Sequence, residues 1–359
     1  MIFDPSMPTS QIQMAVDAIA NQQVPNQFGP QRYALLFMPG TYGTSDTPLN
    51  FQVGYYTAVA GLGFSPNDVV INGSIDVYNQ CDASGSCVAL TNFWRSLSNL
   101  TINVTNPTFG CHTGEFWAVS QAAPMRRVHI NGLATLMDYC TPPSFASGGF
   151  IADSEFDGST VINGSQQQWL VRNSKLDGWT NGVWNQVFSG VVGAPAQCFP
   201  AQPNVCGPYT TLASSPVTRE APYLYVDAGG HYKVFVPSVQ RNSMGTTWGG
   251  GSVAGSSISI DDFFVAKPTD SVQKINSALA QGQNLLFTPG IYHLDRTIKV
   301  KRPDTVVLGL GFPTLVPNNE VVAMSVASVA RAGHCPHWIP RRRGTGRPPG
   351  PDQSIDERY

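Results

Sequence analysis

The strongest constraint on this chain is that it begins a domain twice. Leu35-Leu36-Phe37-Met38-Pro39-Gly40-Thr41-Tyr42 returns as Leu285-Leu286-Phe287-Thr288-Pro289-Gly290-Ile291-Tyr292. A helical pattern precedes each copy, over Ile12 to Ala20 and Val272 to Ala280. A β-rich stretch follows each and ends in the same tetrapeptide, Gly61-Leu62-Gly63-Phe64 and Gly309-Leu310-Gly311-Phe312. Three landmarks in one order mark an internal repeat. Ile12, Ala15, Val16 and Ile19 share one helix face, with Ser10 as N-cap. Val272, Ile275 and Leu279 do the same after Thr269-Asp270-Ser271. Leu-Leu-Phe reads as a buried strand, Pro-Gly as a turn and Tyr as the next strand. A short amphipathic helix needs a surface to cover, and the end of a stacked β structure needs covering. The pattern therefore predicts an N-terminal capping helix on such a stack.

Behind the first opening, short apolar segments alternate with Asn-Gly, Asp-Gly or Ser-Gly. Val70-Ile71-Asn72-Gly73-Ser74 recurs as Val161-Ile162-Asn163-Gly164-Ser165. Leu100 to Val104, Val128 to Gly132, Ser154 to Gly158, Ser174 to Gly178 and Phe188 to Val192 complete the series. Spacings of roughly 16–28 residues suit the coils of a solenoid. A β-sandwich would also carry Asn-Gly turns. The recurrent coil length and the helix before it favour an all-β fold, a right-handed parallel β-helix over residues 1–194.

Residues 195–257 read as a connector. Pro222 to Asp227 and Tyr232 to Pro237 flank Ala-Gly-Gly-His, a hairpin signal, and Gly245 to Ser257 reads as a flexible linker. Residues 258–324 read as the truncated start of a second β-helix. Its Val306-Val307-Leu308 strand is expected to be left exposed. From about Ser325 the pattern ends in a basic tail holding Arg331, Arg341, Arg342, Arg343, Arg347 and Arg358. A nucleic-acid or membrane tail is one reading. A frameshifted end of a longer gene accounts for more of it, including the orphan Cys335, and predicts a tail that packs on nothing.

Charged residues are 12% of the chain against 42% hydrophobic, and the net charge is −2. That balance suits a turn-dense extracellular β protein and gives no reason to expect nucleic acid or an acidic membrane. No apolar run is long enough to span a bilayer. Met1 opens directly into the domain with no basic and apolar leader, so either a signal peptide is missing from this sequence or export takes another route, and the cysteines favour the first. Six cysteines can pair in sequence order within loops: Cys81 with Cys87, Cys111 with Cys140, Cys198 with Cys206. They read as disulfides of an oxidising compartment, the alternative being free buried thiols. No spacing supports a zinc site.

The repeated helix, Phe-x-Pro-Gly-x-Tyr strand and Gly-Leu-Gly turn resemble the opening of pectate-lyase-like β-helix domains. Two in tandem resemble the double β-helix glycoside hydrolases of the exo-β-1,3-glucanase (laminarinase) type, and related secreted actinobacterial proteins, over residues 1 to about 324. The resemblance implies a catalytic acid on the second β-helix, in coils this sequence does not contain. No catalytic residue is therefore carried over.

Candidate chemistry on the residues themselves is of two kinds. Asp153, Glu155 and Asp157 alternate, so on one strand they share a face, with Asp177 one coil above Asp157. Such carboxylates serve acid/base work or hold Ca²⁺, and Arg172 and Lys175 can neutralise an acidic sugar. The plainer reading is turn chemistry and a solvated face. Glu115 and Trp117, beside His112 and Cys111, join Trp169, Trp179 and Trp184 as an aromatic sugar platform. The plainer reading is that tryptophans fill coil corners, and Trp169 suits either. His129 reads as an outward surface residue. The expectation is a secreted, monomeric, polysaccharide-directed protein working by paired carboxylates, with little or no turnover from this chain alone. The alternatives are a Ca²⁺-dependent polysaccharide lyase and a non-catalytic glycan-binding module.

Overall fold

A computed structural model of the chain describes residues 1–105, 110–164, 167–180, 184–199, 206–250, 253–318 and 321–328. The tail expected from about Ser325 to pack on nothing begins as paired strand, Ser325 and Val326 standing in register with Lys299 and Val300; the rest of it, with Cys335, lies outside the described residues.

The short apolar segments stack in parallel. One sheet runs through Ile2–Phe3, Tyr33–Phe37, Thr57–Gly61, Arg95–Val104, Met125–Asn131, Gly149–Ala152, Trp169–Arg172, Gln186–Ser189 and Tyr209–Leu212. Arg95–Val104 is long enough to serve two faces. Its first half pairs with Thr57–Gly61 and its second with Val69–Asp76. The second face continues through Met125–Asn131 to Glu155–Asp157 and Lys175–Leu176. A third face stacks Glu115–Phe116, Ala134–Thr135, Val161–Ile162 and Trp179–Thr180. Parallel register puts like beside like. Leu35, Val59, Leu97, Met125, Ile151, Val171 and Phe188 form one inward column, and Ile71, Ile102, Ile130, Phe156 and Leu176 a second. Both columns lie in one core. Each such side chain contributes about 1.5–3 kcal/mol on burial. The stack also runs one rung past residue 194, because Tyr209–Leu212 pairs in parallel with Gln186–Ser189.

The helix Thr9–Gln23 buries Ile12, Val16 and Ile19 in this core. Ser10 lies inside the helix instead of capping it, since the helix follows Pro8 with no side-chain cap. In the second helix, Val272–Ala280, Ser271 does cap, its oxygen accepting from the Lys274 N–H. The repeated motif folds alike in both copies. Tyr42 Oη donates to the carbonyls of Phe3 and Met38, and Tyr292 Oη to those of Ala266 and Thr288. Each tyrosine meets the motif's phenylalanine edge-on at 5.0 Å. Tyr42→Phe keeps the ring and removes the donor to both carbonyls, of which that of Phe3 retains the Met38 N–H; it is expected to cost about 1 kcal/mol, read by chemical denaturation.

The second copy builds a smaller stack. Phe263–Ala266, Asn284–Phe287 and Val307–Gly309 pair in parallel, as do Ile291–Leu294 with Thr314–Pro317 and Ile298–Val300 with Met324–Val326. The predicted hairpin forms from Tyr223–Val226 and Tyr232–Pro237, and Gly255–Ser259 adds a third strand. This corrects two expectations. Part of the supposed flexible linker is paired strand, and Val306 is not left bare. Val306 is 9% exposed, packed with Val234, Val236, Phe263 and Leu286 while Leu308 lies against the same cluster. The connector sheet is thus a wedge, its other side meeting Ala34, Leu36 and Leu62 of the first stack. All three predicted disulfides form, with Cα separations of 3.9, 5.7 and 6.3 Å. Among the described residues no helix is long and apolar enough to cross a membrane.

Candidate functional site: an outward polar strip beside a docked connector

Each coil turns from its first face to its second through one residue with left-handed backbone. Asn99, Arg127, Asp153, Asn173 and Gly190 have φ of 54°, 53°, 52°, 46° and 61°. Their neighbours are in register, so these corners stack in a column. Asn and Asp tolerate this conformation better than most residues. The sequence reading ran Asp153, Glu155 and Asp157 along one strand. The corner at Asp153 breaks that alternation, so Asp153 points elsewhere.

The connector docks along this column. Asn173 Nδ2 donates to Ser243 Oγ at 2.9 Å, and the Gly245 N–H donates to the Gly190 carbonyl. A Cβ on Gly190 would stand 2.4 Å from the Ser243 carbonyl. Asp153 accepts from the Thr247 N–H at 2.5 Å, from Thr247 Oγ1 at 2.8 Å and from Arg127 Nη1 at 3.1 Å. Trp248 Nε1 donates to the Asp153 carbonyl. Arg127 also reaches Asn99 Oδ1, the Phe64 carbonyl and Tyr223 Oη, its guanidinium 4.2 Å above the Tyr223 ring. Burial pushes the Asp153 carboxyl up to about 6, against the pull of Arg127 and Thr247.

Beyond the corner, alternate residues of the second face point outward in two columns. Thr101, His129, Glu155 and Lys175 form one; Asn103, Asn131 and Asp157 form the other. Asn72 extends the second column through its register with Asn103. Amide side chains link its rungs, Asn131 to Asn103 at 2.9 Å and Asn103 to Asn72 at 3.0 Å. His129 Nε2 meets Asp157 Oδ2 and His129 Nδ1 meets Asn67 Oδ1, each at 3.0 Å. Lys175 Nζ bridges Glu155 and Asp157. Trp248 borders the strip, its ring 5.7 Å from His129.

The electrostatics favour holding over proton transfer. Burial raises the Asp157 carboxyl, yet hydrogen bonds from Lys175 and His129 outweigh it, leaving its pKa below the ordinary value. Hydrogen bonds to Glu155 and Asp157 hold Lys175 above its usual range. A general acid for glycoside cleavage needs a raised pKa, and the Asp157 carboxyl is shifted the other way. Ligand atoms of His129, Glu155 and Asp157 lie within 4.8 Å of one another. The Lys175 ammonium already bridges the two carboxylates, so Ca²⁺ would have to displace it.

The other expected site residues are dispersed. Asp177 accepts from the Gly158 N–H at 2.7 Å, a turn role next to the strip. Arg172 pairs with Glu220 at 2.7 Å, as Arg126 does at 3.4 Å, so it neutralises the connector and not a sugar. Trp117 and Trp169 are wholly buried and Trp179 is 8% exposed, while Trp184 is 58% exposed. Three of the four tryptophans therefore fill the coil interior, where inward pockets are wide enough for indole, and no platform forms. Glu115 is also buried. It crosses to Asp76 on the neighbouring face: Glu115 Oε2 accepts from the Ile75 N–H and Asp76 Oδ1 from the Phe116 N–H. Burial pushes Asp76 up to about 6 and Glu115 well above its ordinary value. His112 bonds the buried Asp138 at 3.0 Å. Cys140 lies beside them, but its sulfur is in a disulfide and offers no thiolate.

Sequence reasoning missed Trp248, Thr247 and Asn67 and set His129 aside as surface. The period-2 spacing of His129 with Asn131, matching Glu155 with Asp157, was the available signal.

Comparison with known proteins accords with this architecture. Residues 263–334 match the model of the LAM55 pectate lyase-like domain. An exo-β-1,3-glucanase of Streptomyces sp. (strain SirexAA-E / ActE) is 49% identical over 334 residues, covering 92% of this chain and 50% of that protein. The structure of sacteLam55A from Streptomyces sp. SirexAA-E is similar with a TM-score of 0.81 at 49% identity, covering 92% of this chain and 56% of that one. A variant of sacteLam55A in complex with glucose is similar at 0.79 and 48%, covering 91% and 55%. The chain is thus a homologue of the pectate-lyase-like glycoside hydrolases of exo-β-1,3-glucanase type, and it spans about half the length of the curated relative it matches.

Proposed function

We propose that the chain is a secreted, monomeric, carbohydrate-directed β-helix protein that binds β-1,3-glucan along the outward strip and does not cleave it unaided. The observation that carries this is the strip itself, in a homologue of an exo-β-1,3-glucanase. Its stacked amides and ion-paired carboxylates present fixed donors and acceptors over several coils. A neutral hydroxyl-rich chain can satisfy such groups rung by rung. Absence of turnover follows from the carboxylates. Glu155 and Asp157 are held by one lysine, while Asp76, Glu115 and Asp153, the acids with raised pKa, are buried. Disulfide-clipped loops support an extracellular setting. In the same reading the coils are right-handed, and the helices Thr9–Gln23 and Val272–Ala280 cap the ends of two successive β-helices.

Isothermal titration with β-1,3-linked glucose oligomers should show binding, and a reducing-end assay on the same sample no product. Asn131→Ala cuts the amide ladder and should lower affinity roughly tenfold, as loss of a hydrogen-bonded contact worth about 1.4 kcal/mol would. Turnover abolished by Glu155→Gln would place an active site on this strip and overturn the reading.

A further inference from the structure

The turn that supplies Asn67 to the strip has a second side. Ser65 caps the short helix Pro66–Asp68, and Asp68 Oδ2 accepts from the Ser65 N–H at 2.7 Å. On the Asp68 side lies an open cleft of about 520 Å³, lined by Pro39, Phe64, Asp68, Tyr225 and Asp227 among others. Pro39 and Phe64 belong to the repeated motif, and Tyr225 and Asp227 to the connector hairpin, so the cleft exists only because the wedge is docked. Its volume falls in the range of small-molecule sites, about 300–1,000 Å³.

We propose that this cleft is a second sugar subsite, taking neutral glucosyl units of the β-glucan that lies on the strip. The inference rests on the glucan-binding reading above. Phe64 is 37% exposed although its ring meets Tyr225 and Phe235 edge-on, each at 5.1 Å. Its carbonyl is held by Arg127 Nη2 and Tyr223 Oη. The ring is therefore a rigid apolar face at the cleft, suited to the C–H face of a pyranose, with little ordering cost on binding. Asp68 Oδ1 has no partner among the described residues and can accept from a sugar hydroxyl. Asp227 is paired with Lys233 at 2.7 Å and held by its own turn, so its charge is offset and it leaves the ligand-facing role to Asp68. The named charges lining the cleft are carboxylates, which disfavours phosphorylated or acidic ligands and favours a neutral, hydroxyl-rich one. Asn67 and Asp68 are consecutive, so one chain can pass from the strip over the turn into the cleft.

The test is titration of the whole chain with short and long β-1,3-linked glucose oligomers. Wild type should bind long oligomers more tightly than short ones. Phe64→Leu keeps the apolar packing and removes the aromatic face. It should lose roughly tenfold for long oligomers and erase most of the length dependence. If Phe64→Leu unfolds more readily than wild type, Phe64→Met, which fills the apolar volume with a flexible chain and still removes the aromatic face, takes its place with the same expectation. Wild-type affinity in the folded variant overturns the subsite and leaves the strip reading standing. No binding by wild type overturns the strip reading, and the subsite falls with it.

Discussion

Arg127→Met should destabilise the chain by about 3–5 kcal/mol and release the connector from the corner column. The arginine is 5% exposed and donates to five partners from five separate segments of the chain: Asn99, Asp153, Thr247, Phe64 and Tyr223. Removing it leaves the wholly buried Asp153 carboxylate without its counter-charge, which is where the large cost arises. Two measurements check this. Chemical denaturation gives the loss, and hydrogen exchange at the Thr247 amide, bonded to Asp153 in the wild type, reports undocking. The double variant Arg127→Met with Asp153→Leu should recover much of the loss, because no unpaired charge then remains. A loss below about 1 kcal/mol would mean the network is not what holds the wedge.

Stability should also fall as pH rises from about 4.5 to 7.5, the reverse of the usual pattern for carboxylates in ion pairs. Asp76 and Asp153 are moved from 3.8 up to about 6, and Glu115 lies well above its ordinary value, burial being the leading cause in each. A raised carboxyl takes up its proton more readily folded than unfolded. Its contribution is fully present below the unfolded pKa and is lost as pH rises through the folded one. A shift of about two units corresponds to on the order of 3 kcal/mol for either aspartate when fully ionised. Asp157, Asp227 and Asp270 are shifted downward by hydrogen bonds and ion pairs. Their stabilisation disappears only as pH falls below about 4, which sets the acid limit. The melting temperature should therefore peak near about pH 4–5, and Glu115→Gln should flatten the decline above it. A flat profile between pH 4.5 and 7.5 would show that these acids ionise in place without cost.

The two predictions share a cause that explains why the local site was hard to read in advance. The repeat, both helices, the coils, the hairpin and the disulfides were legible because each rests on local chemistry. Apolar spacing makes a helix or strand, Asn-Gly and Pro-Gly make turns, and neighbouring cysteines close loops. The glucanase likeness was legible for the same reason, since it rides on the motif around Phe37 and Tyr42. Parallel stacking decided the rest. Glu115 and Asp76 look like ordinary polar residues until adjacent faces fold them against each other in the interior. Asp153 and Glu155 are two residues apart, yet a left-handed corner sends one under the connector and the other onto the strip. Thr247 and Trp248 sit in a Gly-rich stretch with no periodicity, and only long-range docking gives them partners. The local pattern determined which coils exist. Which face a side chain serves depended on the corner column and the wedge, because those contacts join residues about 95 to 120 apart in sequence, farther than any local period can report.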